Sequence, residues 1–293
     1  MMDIFDDIKR TFKEGSALTR LIYINLGVFL AVSIFGVILY LSGHSNFLAD
    51  WLSLPSNTSE LLKKPWTPIT YMFLHTGFLH LLFNILGLYW FGKLFLYRLD
   101  NDKLISVYLL GGLSGAVFYL LAYNLLPVFQ SINGLLMGAS ASVFAILVAI
   151  AFYDPNQEIR LSFIGSFQLK YIALFYVLLS VVEISASNPG GNIAHLGGAF
   201  WGWFYIFQLR RGKGAGDGFV KILNSISLGI SGIFKPKNNM KVTHRQTPRD
   251  DHEYNKLKNA EQEEINRILE KVGKSGYDSL SKKEKELLFR QGK

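Results

Sequence analysis

Apolar residues in this chain arrive in blocks, most of them long enough to cross a bilayer, broken by short charged or glycine-rich stretches. The blocks fall at about 21–41, 69–91, 104–125, 133–154, 171–184 and 192–209. This pattern predicts an all-α polytopic membrane protein with six spanning helices in residues 21–210. Residues 1–20 read as a frayed interfacial helix, with Ile4, Phe5, Ile8 and Phe12 near one face. The long connection 44–68 carries Trp51, Trp66 and several Leu, which predicts a folded piece lying at the membrane interface. Residues 211–293 form a separate cytosolic tail. In it 219–234 is mildly amphipathic and 235–250 is polar and expected to be disordered. Two short helices follow. One spans about 261–272 and stops at Gly273; the other opens on the capping box Ser281-Lys282-Lys283-Glu284. Ile265, Leu269, Leu280, Leu287 and Leu288 are the residues that would close them into a hairpin.

Charge orients the blocks. Lys9, Arg10, Lys13 and Arg20 precede the first; Lys93, Arg98 and Lys103 lie between the second and third. Arg160 and Lys170 separate the fourth from the fifth, and Arg210, Arg211 and Lys213 follow the sixth. The opposite side has only Lys63 and Lys64. An excess of basic residues marks cytosolic loops, so both termini are expected in the cytosol. Residues 1–209 hold 11 of the 30 basic and 11 of the 22 acidic residues, so the tail carries the whole net charge of +8. A basic tail beside a membrane predicts contact with anionic lipid and not with nucleic acid. Cysteine is absent, which excludes disulfides, thiolate metal sites and a cysteine nucleophile. The acidic, weakly apolar N-terminus does not read as a cleavable signal peptide, so the first block is expected to serve as targeting signal.

The candidate chemistry sits in the fourth block, where Gly134 and Gly138 precede Ser140 and an apolar helix runs on to Asp154. Fourteen helical steps from Ser140 to Asp154 rise about 21 Å, less than the roughly 30 Å of a bilayer core. Ser140 therefore falls inside the membrane if Asp154 marks its face. In the sixth block His195 stands 15 steps, about 22 Å, above Arg210, which is nearly the same height. Gly198 and Gly202 are four apart and permit close helix approach, and Ala141, Ala145 and Ala149 offer the facing groove. An imidazole within reach of a buried hydroxyl is what an activated serine needs. The plainer reading is a polar pair that glues two helices. The second block adds His75, His80 and Asn84, with His80 and Asn84 on one helical face, suited to stabilising an oxyanion with the Ser140 N–H. His75 and His80 are five positions apart, about 140° round a helix, unlike the i, i+4 pair of a zinc-protease helix. The only nearby carboxylate, Glu183, reads as interfacial, so neither metal nor cofactor is expected.

In combination His75-x4-His80-x3-Asn84, Gly138-x-Ser140 and Ala194-His195-x2-Gly198-x3-Gly202 resemble the rhomboid family of intramembrane serine proteases, of the bacterial six-span type. The resemblance covers about Trp66 to Trp203. It implies a six-helix rhomboid bundle and a multi-pass protein of the bacterial inner membrane. It also implies a Ser140–His195 dyad without an acidic third member, oxyanion roles for His80 and Asn84, and a supporting role for His75. Its substrates would be transmembrane helices of membrane proteins, cut near the outer half of the bilayer. Two supporting positions depart from the family pattern. A Trp-Arg pair in the first external loop reads Trp66-Thr67, and a Tyr packing under the catalytic His is Phe144. Two other classes fit the same blocks: a rhomboid-like pseudoprotease that holds membrane clients, and a small-solute transporter. The transporter reading lacks both an inverted repeat and polar groups along a through-path.

Overall fold

The computed structural model describes residues 4–45, 47–161, 165–214, 216, 218–219 and 251–291. The chain divides into two units, Met1–Ile233 and Phe234–Lys293. Apart from residue 219, the expected amphipathic stretch 219–234 and the polar stretch 235–250 lie outside the described residues.

The larger unit opens with α1 (Ile4–Glu14) and α2 (Ala17–Leu41). Ser16 caps α2 by accepting from Thr19 N at 3.3 Å. Arg20 reaches back to carbonyls at the end of α1, donating to Phe12 O (3.2 Å) and Lys13 O (3.0 Å). Phe5, Ile8 and Phe12 stay exposed along α1. The long connection is folded, as its composition predicts, into α3 (Phe47–Leu52), strand β1 (Leu54–Pro55), α4 (Thr58–Lys63) and α5 (Thr67–Thr70). Strand β1 pairs antiparallel with β2 (Leu135–Leu136), Leu54 opposite Leu136. Ser56 doubles that tie, donating its N–H to Gly134 O (3.0 Å) and accepting at Oγ from Gly134 N (2.9 Å). The connection is thus fastened to the stretch just before Ser140.

The second block begins later as a helix than the hydrophobic pattern implies. Instead of one helix over 69–91, α5 and a 3₁₀ turn (Tyr71–Phe73) lead through extended backbone to Gly77, and α6 spans Phe78–Arg98. Tyr71, Met72 and Leu74 are fully buried, so the run stays apolar whether helical or not. Tertiary hydrogen bonds hold it open: Tyr71 Oη donates to Gly112 O (2.6 Å), Tyr108 Oη to Met72 O (3.1 Å), and Gly138 N to Tyr71 O (2.9 Å). His75 consequently precedes the helix that carries His80, and the 140° separation expected for one continuous helix does not apply.

Helix α7 (Asn101–Leu125) is capped by Asp100. Helix α8 (Ser140–Tyr153) is next, then a hairpin of β3 (Glu158–Leu161) and β4 (Gly165–Gln168), then α9 (Leu169–Glu183) and α10 (Pro189–Arg210). Helices α2, α6 and α7 are long and apolar enough to cross a membrane. Helix α8 is the centre. All ten residues named here, Ala141–Val143 and Ala145–Ala151, are buried. Glycines let its neighbours in. A Cβ on Gly115 of α7 would lie 2.6 Å from Ala141 Cβ. On α10, a Cβ at Gly198 or Gly202 would run into the carbonyl oxygen of Ala141 or Ala145. The small-residue seam between the fourth and sixth blocks is therefore a backbone-to-backbone contact. At its far end Arg98 of α6 pairs with Asp154 (2.5 Å), and Arg210 of α10 donates to Phe152 O (2.6 Å).

The smaller unit contains α11 (Asp251–Ser275), a 3₁₀ turn (Tyr277–Ser279) and α12 (Lys282–Gln291). Gly273 does not end α11. A lone glycine inside a solvated helix is only a mild penalty, and the stop comes at Gly276, whose φ is +77°. Ile265, Ile268 and Leu280 are buried, whereas Leu269 is half exposed, so Ile268 takes the place expected of Leu269. The capping box forms as predicted, with Ser281 N donating to Glu284 Oε2 (2.7 Å) and Glu284 N to Ser281 Oγ (3.4 Å).

Two expectations follow. Gly202→Ala should destabilise the larger unit by about 1–3 kcal/mol through overpacking against α8. Gly27→Ala, where a Cβ meets nothing within 4 Å, should not; thermal unfolding of the purified proteins compares them. The Ser281 N–H and the Lys271 ammonium hold the Glu284 carboxyl down to about 2. The help it gives α12 is therefore complete above the usual carboxylate range and is lost as pH falls toward 2. Amide exchange in the first turn of α12, corrected for intrinsic rate, should show this loss in the wild type and not in Glu284→Gln.

Candidate active site

Ser140 is the first residue of α8 and is half-buried. Gly138 sets it up with φ +119°, a conformation that favours glycine. The same position faces the ring of His80, and a Cβ there would lie 2.7 Å from His80 Cε1. The two N–H groups before Ser140 are already committed. Gly138 N donates to Tyr71 O (2.9 Å), and Ala139 N donates to His75 Nε2 (3.3 Å). Buried His75 also contacts Phe73 O through Nδ1 at 3.3 Å. With Nε2 accepting, the proton sits on Nδ1 and is donated to that carbonyl. His75 is thus a brace between the irregular 71–77 backbone and the loop that delivers Ser140. The N–H of Ser140 itself has no protein acceptor among the described residues.

His80 lies in the first turn of α6, exposed, with its ring edge-on to His75 at 5.0 Å. Asn84 is one turn further in and buried; its Nδ2 donates to His80 O at 2.8 Å. An amide nitrogen carries two hydrogens, so one remains for another acceptor. A cavity of about 370 Å³ between α6, α8 and α9 is lined by Asn84, Gly87, Trp90, Ser140, Phe144 and Tyr176, among others.

His195 is in the second turn of α10 and half-buried. Its ring stacks on Phe144 with centroids 4.3 Å apart and planes within 12°. Phe144 in turn meets Tyr176 edge-on at 6.1 Å. On the other side of the imidazole, Nδ1 lies 3.2 Å from Ser180 Oγ of α9. Among the described residues no hydrogen bond joins Ser140 Oγ to His195. The two helices nevertheless meet at Gly198, about one turn below His195, and Ala141, the residue after Ser140.

Trp66 stacks on Trp51 (5.6 Å) and donates Nε1–H to Trp51 O (2.8 Å). Thr67, fully buried, donates its hydroxyl to Lys64 O (2.8 Å), so this pair holds the connection by local hydrogen bonds. Among the described residues, no group of three or more His, Asp or Glu is arranged to hold a metal ion. Sequence reasoning missed Ser180, Tyr176 and Tyr71. Ser180 had a signal, a lone serine within the run Leu174–Val182; the two tyrosines had none, because aromatic residues abound in such helices.

The Rhomboid domain family matches residues 62–212, and a family of unknown function, DUF6576, matches residues 250–291. The chain is 28% identical over 158 residues to the mitochondrial RHOMBOID-like protein 12 of Arabidopsis thaliana, covering 50% of this chain and 47% of that protein. It is 30% identical over 149 residues to the rhomboid protease GlpG of Serratia proteamaculans (strain 568), covering 44% and 52%. Against RHOMBOID-like protein 7 of Arabidopsis thaliana it is 26% identical over 180 residues, covering 60% and 52%. The chain thus spans about half the length of the curated relatives it matches. The family match takes in every residue from α6 to α10 that builds the cavity and the imidazole's surroundings, and this integral membrane protein belongs to the rhomboid family.

Proposed function

We propose that the protein is an intramembrane serine endopeptidase that cuts transmembrane helices of other membrane proteins near the outer half of the bilayer. The observation that carries this reading is the stacking of His195 on Phe144, a residue of Ser140's own helix lining the same cavity. In the proposed reaction His195 Nε2 takes the proton of Ser140 while Oγ attacks the scissile carbonyl. The oxyanion is met by the free N–H of Ser140, the second amide hydrogen of Asn84, and His80. His195 then returns its proton to the leaving amine, and water hydrolyses the acyl-enzyme, freeing the second product and restoring Ser140. Catalytic hydrogen bonds in such sites tighten when substrate binds, so the unbonded Ser140–His195 pair is compatible with this role.

We further propose six spans, α2 and α6 to α10, with residues 1–20 and the tail from 211 in the cytosol. The protein would reside in a bacterial inner membrane, with the basic tail against anionic lipid. The Arg98–Asp154 pair and the Arg210 bond to Phe152 O, where α6, α8 and α10 end, would mark the cytosolic face. The 14-residue α8 then lifts Ser140 about 21 Å, to the outer half of the core.

A fluorophosphonate should label the wild type and leave Ser140→Ala unlabelled, and only the wild type should cut a single-span model substrate. A Ser140→Ala protein that still cut it would end the protease reading. Phosphonate reactivity separates this reading from a client-binding pseudoprotease. Asn84→Ala should lower kcat by ~10²–10³, the usual loss for one oxyanion donor. Because the chain has no cysteine, single replacements report topology cleanly. Lys63→Cys should react with an impermeant maleimide added outside intact cells, and Lys213→Cys only after permeabilisation.

A further inference from the structure

Ser180 is the one aliphatic hydroxyl of α9, and it is only 3% exposed. A buried hydroxyl in an apolar helix needs a partner, and this one has its Oγ 3.2 Å from His195 Nδ1. The imidazole is therefore restrained twice. Phe144 sets the plane of the ring by stacking, and Ser180 sets its rotation within that plane. A neutral imidazole has one N–H and one lone pair, and whichever nitrogen donates leaves the other as acceptor. No carboxylate bonds to His195 among the described residues; Glu183, one turn along α9, accepts from Ser187 Oγ at 2.6 Å. A hydroxyl can accept from an imidazole N–H without the cost of burying a charge.

We propose that Ser180 is a positioning residue that accepts the Nδ1–H of His195 and thereby keeps the Nε2 lone pair turned toward Ser140. This rests on the protease reading above and gives the dyad a neutral third member, in place of the acid that serine proteases commonly use for the same orientation.

The test uses the full chain in lipid nanodiscs. Ser180→Ala should slow fluorophosphonate labelling and lower kcat roughly three- to tenfold, the effect one neutral hydrogen bond supports, with KM unchanged. Ser180→Thr, which keeps the hydroxyl, should restore both. Nitrogen-15 spectra of histidine-labelled wild type, with His195 assigned by its loss in His195→Gln, should show Nδ1 protonated and Nε2 bare near neutral pH. Ser180→Ala should show a mixture of the two tautomers. Rates within twofold of wild type in Ser180→Ala, or an Nε2–H tautomer in the wild type, would overturn the proposal. Should Ser180→Ala fail to fold, the wild-type tautomer alone decides. A wild type that labels no faster than Ser140→Ala would sink the protease reading itself, and the tautomer, which needs no activity, still reports whether Ser180 sets the ring.

Discussion

Helix α8 is gripped by α7 and α10 with almost no side chain between the backbones, and the rest of the larger unit is arranged around that contact. Gly198 and Gly202 rest on the carbonyls of Ala141 and Ala145, and Gly115 meets Ala141 from the other side. In a membrane, helices gain nothing from hiding apolar surface from lipid, so close packing and hydrogen bonds must hold them. Two alanines on one helix facing glycines on two others supply very close packing. The contact also sets the height of α10 against α8, and with it which side chains can meet at the start of α8.

A second constraint follows from the low polarity of the surroundings. The chain at 74–77 and 133–139 is not helical and 67–73 makes only short turns, so its backbone groups need partners that lipid does not supply. They find them in one another and in a few buried hydroxyls and rings: Gly138 N with Tyr71 O, Ala139 N with His75, Met72 O with Tyr108 Oη. The pairing of β1 with β2 extends the same solution to the long connection before α5. Among the described residues the amide of Ser140 has no acceptor. An unused donor at the first turn of a helix, beside a cavity, is a ready place for developing negative charge. The irregular backbone thus both carries the serine and leaves it a donor.

His195 is held in a different manner. Packing against Phe144 and the hydrogen bond to Ser180 restrain the ring without any charge. Among the described residues no carboxylate bonds to this imidazole, and the hydroxyl beside its Nδ1 arrives from a third helix, α9. In a medium where a carboxylate is costly, a neutral acceptor orients an imidazole at less expense.

Much of this was legible in the residues alone. Block lengths, loop charges and the spacing of His80, Asn84, Ser140, His195, Gly198 and Gly202 suffice for a mostly helical chain and a short list of candidate groups, because hydrophobic length and small-residue periodicity are local properties; the two short strand pairs were not foreseen. The capping box of α12 is local too, and it forms as written. What sequence could not settle is where the second helix starts. An apolar run looks the same whether its amides bond within it or across to α7 and the 138 loop, and only the folded chain makes that choice. The same holds for Ser180 and His75. A lone serine or histidine in an apolar stretch has many possible partners, and only the packing of α9 against α10, and of the 71–77 segment against α8, decided that each meets one particular atom.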